Sequence, residues 1–174
     1  MSSESVEKSF QEQVIASVTY VGLYYDDISV DWDFGDFHWP EVGVEFGMEN
    51  GQTFFAIWDS NQTNYTLLFK EGSISEEWHD ENARNWNVTY HNRWMPLIGK
   101  QILDCSPVKL ADEDAAVGLR ISFESGTVWI AAASPRDHLE PRSESPRDVV
   151  IGDDEVMVFF GDECAKRIGL APAP

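Results

Sequence analysis

A chain of 174 residues, 43% of them hydrophobic, holds enough apolar material for one packed core, which excludes wholesale disorder. Its 31 Asp and Glu against 12 Lys and Arg leave a net charge of −19, so nucleic acid and anionic membranes, which are gripped by clustered Lys and Arg, are excluded as expected partners. No apolar run approaches the length of a membrane span, and the polar, acidic start Met1-Ser2-Ser3-Glu4-Ser5-Val6-Glu7 lacks the basic and apolar regions of a secretory signal, so the expected location is cytoplasmic.

Along the chain, Val6, Phe10 and Val14 recur every four residues, with Glu4 and Glu7 near the start, which predicts a short helix within residues 2–14. Residues 14–25 are rich in Val, Ile, Thr and Tyr and predict a strand, with Gly22 marking a bulge. An acidic and aromatic loop, Asp26–Glu41, follows. The stretch from Val42 to Asp59 then alternates apolar with small or charged residues around Asn50-Gly51, a pair that tolerates the positive φ angles of a two-residue hairpin turn. Val42, Val44, Phe46 and Met48 are expected on one face. Residues 65–69 predict another strand. Ser73 and Glu76 have capping-box spacing, so a helix is expected through Glu77 and Trp78 toward Arg84.

The hairpin recurs from Val117 to Ser134, aligned with Val42–Asp59 at a constant offset of 75 residues and no gap, with Ser125-Gly126 as a weaker turn. Val117, Leu119, Ile121 and Phe123 should share a face, and Ile98–Ile102 echoes Val21–Tyr25 at an offset of 77. The tetrapeptide Ser-Pro-Arg-Asp occurs twice within residues 134–148, which predicts a mobile loop. Val156–Phe160 is the expected last strand. Asp162 should cap a helix from Glu163 to Ile168, stopped by Gly169, and residues 171–174 form a disordered tail.

The fold class that follows is α+β, predominantly antiparallel β, in a single domain over 1–174. It comprises two duplicated β-hairpin-β-α halves, approximately 14–86 and 94–170, related by pseudo-twofold symmetry around one core.

Catalytic chemistry finds little footing. No G-x-S-x-G, P-loop, G-x-G-x-x-G or H-E-x-x-H occurs, so no enzyme activity and no cofactor are expected. The run Asp31-x-Asp33-x-x-Asp36-x-His38 imitates the opening of an EF-hand, but Gly35 and Asp36 fall at the wrong loop positions, leaving at most a weak Ca²⁺ site and no assigned metal. His38, His79, His91 and His138 are scattered and read as surface or structural, with His79-Asp80-Glu81 the stretch to place near His38. Cys105 and Cys164 lack metal-ligand neighbours and read as reduced, partly buried thiols. The sequons at Asn61, Asn64 and Asn87 read as chance tripeptides without a secretory signal.

Differences between the halves point to binding. Through Ile98, 17 acids face 4 bases; from Gly99 on, 14 acids face 8 bases; and six of the seven tryptophans lie in the first half. Large aromatics anchor protein interfaces, and clustered acids speed association with a basic partner. The expected partner-binding residues are therefore Asp26, Asp27, Asp31, Trp32, Asp33, Asp36, His38, Trp39, Trp58 and Asp59, the alternative being that the tryptophans are core and the acids a solvated rim. In composition, though not in any motif, the chain is similar to immunity or antidote proteins that neutralise toxic enzymes. A basic protein partner is the leading expectation. A small-molecule or carbohydrate-binding β domain and a homodimeric structural domain are the alternatives.

Overall fold

The computed structural model describes residues 3–23, 32–61, 64–111, 114–135 and 149–170. In chain order the elements are α1 (Ser3–Phe10), β1 (Ile15–Leu23), β2 (Phe37–Glu41), β3 (Gly43–Met48), β4 (Thr53–Asn61), β5 (Asn64–Glu71), α2 (Ile74–Glu77), β6 (Ala83–Asn87), β7 (Asp104–Val108), β8 (Gly118–Phe123), β9 (Gly126–Pro135), β10 (Val149–Phe160) and α3 (Asp162–Arg167). The strands make two five-stranded sheets, ordered β5-β4-β3-β1-β6 and β2-β10-β9-β8-β7, with every named pairing antiparallel. The predominantly antiparallel β class is thus present, with few and short helices. No helix among the described residues is long and apolar enough to cross a membrane.

Strand periodicity builds the core. Val18 and Tyr20 of β1, Val44, Phe46 and Met48 of β3, and Phe54 and Ala56 of β4 join Leu119, Ile121 and Phe123 of β8, Val128, Ile130 and Ala132 of β9, and Val156 and Val158 of β10 in one cluster shared by both sheets. Helix α1 closes one end, where Phe10 meets the rings of Phe46, Phe54 and Phe69 at 5.0–5.5 Å. The alternate residues are buried as well. Phe55 and Ile57 pack with Ile74 of α2, while Trp129, Ala131, Met157 and Phe159 pack with Cys164 and Ala165 of α3. Sheets covered on both faces account for the continuous apolar runs Phe54–Ile57 and Val128–Ala133. Each such large apolar side chain, fully buried, stabilises the fold by about 1.5–3 kcal/mol.

Several expectations change. The first hairpin closes with a three-residue loop, Glu49–Gly51: the Met48 amide donates to Gln52 O at 2.9 Å, and Gly51 takes φ +87°. The second closes with two residues, since Phe123 pairs with Gly126. Gly51 supplies the positive φ that a three-residue loop needs at its last position. The pairing is therefore one residue out of step with the gapless alignment, and a one-residue step exchanges the faces of a strand. Phe54, aligned with Trp129, faces the shared core while Trp129 faces α3. Val42 and Val117 lie in the outer clusters, unlike the residues that follow them.

Gly22 sits in regular register opposite Arg84, and the irregularity falls between Ile15 and Ser17. Gly22 is needed for close approach instead: a Cβ there would lie 2.7 Å from Pro40 O. Helix α2 begins with the expected capping box but ends at Glu77, because Trp78 is extended and the Asp80 carboxylate accepts the Asn82 amide at 2.8 Å, a local turn that competes with helix. Residues Ala83–Asn87 form β6 beside β1. Residues 98 and 99 lie in a turn, with Gly99 at φ +72°, Gln101 makes only an isolated bridge with Val14, and the neighbour of β8 is β7. The anticipated loop Asp26–Glu41 contains β2, which pairs with β10 in the other sheet, so the sheet boundary does not follow the boundary between residues 14–86 and 94–170. The loop predicted at 134–148 and the tail at 171–174 lie largely or wholly outside the described residues. Cys105 and Cys164 are free thiols, both buried.

Candidate functional site

The segment before β2 is folded into a tight turn by its own polar atoms. Asp33 Oδ1 accepts the Gly35 amide at 2.9 Å, Gly35 takes φ +83°, the Phe34 amide donates to Phe37 O at 3.1 Å, and the Trp39 amide donates to Trp32 O at 2.8 Å. The turn places Asp33 opposite His38 in an isolated antiparallel bridge. A second segment, residues 88–95, is fastened to β1: the Val88 amide donates to Val18 O at 2.9 Å, and the Val18 amide donates to Thr89 Oγ1 at 3.0 Å. It carries His91 to within 2.9 Å of Asp33 Oδ2, through His91 Nε2.

Behind these two segments lies a buried chain of polar atoms. Trp94 Nε1–H donates to Tyr20 Oη at 2.6 Å, and Tyr20 Oη lies 2.6 Å from His38 Nδ1. Trp94, Tyr20 and His38 are all 0% exposed, which is costly for polar groups unless they are paired. Every polar atom of the three is paired but one: His38 Nε2 is buried with no hydrogen-bond partner among the described residues. It stands 3.5 Å from Asp33 Oδ1, beyond a good hydrogen bond. Trp32 and Phe160 flank His38, their ring centroids 5.0 and 4.7 Å from the imidazole, and the His91 ring lies at 4.7 Å.

The environment sets charge. Burial, His91 and Arg93 hold the His38 imidazole down at about 3 against the pull of Asp33, so it is neutral near pH 7. Burial pushes the Tyr20 phenol well above its usual range. Burial also raises the Asp33 carboxyl, but the Gly35 amide and His91 outweigh it and hold the carboxyl below its ordinary value. The result is an ionised carboxylate, 44% exposed, in front of a neutral, unpartnered imidazole nitrogen.

The anticipated binding residues divide. Asp26, Asp27 and Asp31 lie outside the described residues. Asp33 and His38 converge, whereas Asp36 turns to Arg93 Nη2 at 2.8 Å and Arg167 Nη2 at 3.5 Å. Trp32 is half-buried in the site just described. Trp58 is half-buried against the shared core and Asp59 beside it is exposed. The neighbour of His38 is His91 rather than His79. No local spacing announced that pair, since Asp33 and His91 are 58 residues apart.

Trp39 belongs to a different group. Strand β10 breaks register between Ile151 and Val156, where Gly152 takes φ +82°. The bulge carries Glu155 to Trp39 and near Glu41 of β2, and Asp153 to Ser134 of β9. Trp39 Nε1–H donates to Glu155 Oε2 at 2.8 Å, and Ser134 Oγ donates to Asp153 Oδ2. Burial pushes the Glu155 carboxyl up to about 8 against the Trp39 hydrogen bond, with Glu41, Asp154 and Asp153 adding to the rise. Its proton is held in the folded state up to about pH 8 and released near 4.5 when unfolded, so its contribution to stability is complete below 4.5 and disappears as pH rises through 8. Glu155→Gln keeps an acceptor for Trp39. It should flatten the stability profile across that window and stabilise the protein by about 1 kcal/mol at pH 9 after allowance for solvent screening, as read by urea denaturation at several pH values. A variant less stable than the parent at pH 9 would remove this account.

Compared with known proteins, the chain matches no protein-family model, no curated protein and no solved structure.

Proposed function

We propose that this chain is a binding domain for a basic protein partner, in the manner of an immunity-type inhibitor of a toxic enzyme. The observation that carries this reading is the gathering of Glu41, Asp153, Asp154 and Glu155 on β2 and the β10 bulge, with Glu155 bonded to Trp39 and its carboxyl pushed up to about 8 chiefly by burial, the other three acids adding to the rise. Acids gathered beside an indole suit the Lys and Arg side chains of a basic partner, which aromatic faces also attract. The chain's charge of −19 steers such a partner from a distance. Exposed Asp59 and half-buried Trp58 supply further acidic and aromatic surface on the first sheet. This reading takes the acids of β2 and the β10 bulge as part of the surface together with Asp33 and Asp36, which meet His91 and two arginines.

The same reading takes the two hairpins as copies of one ancestral unit arranged about a pseudo-twofold axis. Gly43 and Gly118, each opening its strand and each set against a carbonyl of the partner strand, support it.

The test is affinity capture from the native lysate at low and moderate salt, with the triple variant Glu41→Gln, Asp153→Asn, Asp154→Asn alongside. One basic protein should be retained at low salt, lost in part as salt rises, and captured about tenfold more weakly by the variant, most of the change lying in the association rate. Capture insensitive to both salt and the variant would overturn the proposal. A dimer by light scattering with no other protein retained would replace it with self-association.

A further inference from the structure

We infer that Asp33, His38 and His91 form a binding site for one divalent transition-metal ion of the zinc type. Asp33 Oδ, His38 Nε2 and His91 Nε2 are the donors. The potential ligand atoms of the three residues lie within 4.8 Å of one another, with measured separations of 3.5 Å and 2.9 Å from the Asp33 oxygens to the two imidazole nitrogens. Metal–nitrogen and metal–oxygen bonds near 2.0–2.2 Å require ligand atoms about 3–3.5 Å apart, so an ion fits with small adjustments.

A gathering of polar side chains at a surface is by itself unremarkable in so acidic a chain. What singles this one out is His38. It is 0% exposed, its Nε2 has no partner among the described residues, and that atom points at the carboxylate. A buried donor or acceptor left unsatisfied costs about 1–3 kcal/mol, and metal coordination at Nε2 answers that cost. The ring is held for the purpose. Tyr20 Oη accepts from Trp94 Nε1–H and lies 2.6 Å from His38 Nδ1, which fixes the orientation of the ring. Coordination of an ion at Nε2 takes the tautomer with the proton on Nδ1, the one that outer hydrogen bonds impose on metal-bound histidines.

Donor chemistry selects the ion. Two imidazoles and one carboxylate suit Zn²⁺, Co²⁺, Ni²⁺, Cu²⁺ or Fe²⁺, whereas Ca²⁺ and Mg²⁺ prefer oxygen ligands throughout. This replaces the EF-hand comparison suggested by Asp31, Asp33 and Asp36: Asp33 and His38 alone of that run, as far as it is described, face the site, and the third ligand comes from a distant turn. Asp33 at 44% exposed and His91 at 19% leave a path from solvent, and three protein ligands leave a coordination position for water or a further ligand.

The full-length protein, stripped with a chelator and dialysed, would be titrated with Zn²⁺ by calorimetry and with Co²⁺ by visible absorption. One ion per chain is expected, with Co²⁺ giving the intense bands of a low-coordinate nitrogen and oxygen site. Asp33→Asn and His91→Ala, both at the solvent side and removable without opening the core, should each weaken binding by at least about 100-fold, and Tyr20→Phe by about tenfold through loss of the second-layer hydrogen bond. Asp59→Asn, on β4, should leave binding unchanged. Thermal melts of each variant without metal show that folding is retained. Absence of saturable 1:1 binding, or binding that survives both Asp33→Asn and His91→Ala while folding is intact, would overturn the site.

Discussion

Replacing Trp94 with alanine should destabilise the fold by about 3–5 kcal/mol, the usual cost of deleting a fully buried large aromatic. Trp94 is 0% exposed, and its ring meets Phe160 at 5.3 Å, Phe46 at 5.8 Å and Tyr20 at 6.4 Å. It therefore ties the turn-rich segment 88–95 to β1, β3 and the end of β10. The indole also donates to Tyr20 Oη, so the deletion removes a buried donor as well as volume. Trp94→Phe retains most of the ring and isolates the hydrogen bond, and should cost about 1–2 kcal/mol, in the range for a buried polar partner lost. For a domain of this size each kcal/mol moves the melting temperature by about 2–4 °C, so the alanine variant should melt about 10 °C lower or more. Urea denaturation measures both. An alanine variant within about 1 kcal/mol of the parent would mean that Trp94 is not the anchor described here.

Alanine at Gly43 or at Gly118 should cost about 2–3 kcal/mol each, and the two should add, since they sit in different sheets. A Cβ at Gly43 would lie 2.5 Å from Ala56 O and 2.6 Å from Ile57 Cγ2; at Gly118 it would lie 2.8 Å from Ile130 O. Carbonyl oxygens engaged in a sheet cannot retreat without breaking pairing. Gly47 provides the contrast. Its added methyl meets the Ser17 hydroxyl, a side-chain atom that can rotate away, so Gly47→Ala should cost less than about 1 kcal/mol. Thermal melts of the three variants give the order directly. If Gly47→Ala were as damaging as Gly43→Ala, backbone crowding would not be what reserves these positions for glycine.

Much of the secondary structure was legible because it is local. The alternation in Val44–Met48 and Leu119–Phe123, the capping box of Ser73 and Glu76 and the positive-φ Gly51 each depend on contacts a few residues apart. The antiparallel class follows from those segments and their turns.

Other features arise only where distant segments meet. One extra residue in the Glu49–Gly51 loop reverses the faces of β4 relative to the gapless alignment, so Phe54 enters the shared core while Trp129 turns to α3. Neither β2 nor β6 carries a strong strand pattern. Phe37–Glu41 becomes a strand because β10 offers it an edge, and Ala83–Asn87 because β1 does. The Glu155 carboxyl is raised by burial and by acids from β2 and the β10 bulge.

The candidate metal centre follows the same division. Asp33 and His38 are near neighbours in a turn that Asp33 and Gly35 form by themselves, and that part was within reach of sequence reasoning. His91 joins them because the segment after β6 is pinned to β1; burial keeps His38 neutral, and Tyr20 on the other side of its ring leaves Nε2 facing Asp33. Composition alone accounts for the acidity. Which acids crowd together, which histidine loses its water and which nitrogen is left without a partner are outcomes of packing, because burial and electrostatic proximity exist only between residues that the fold brings into contact.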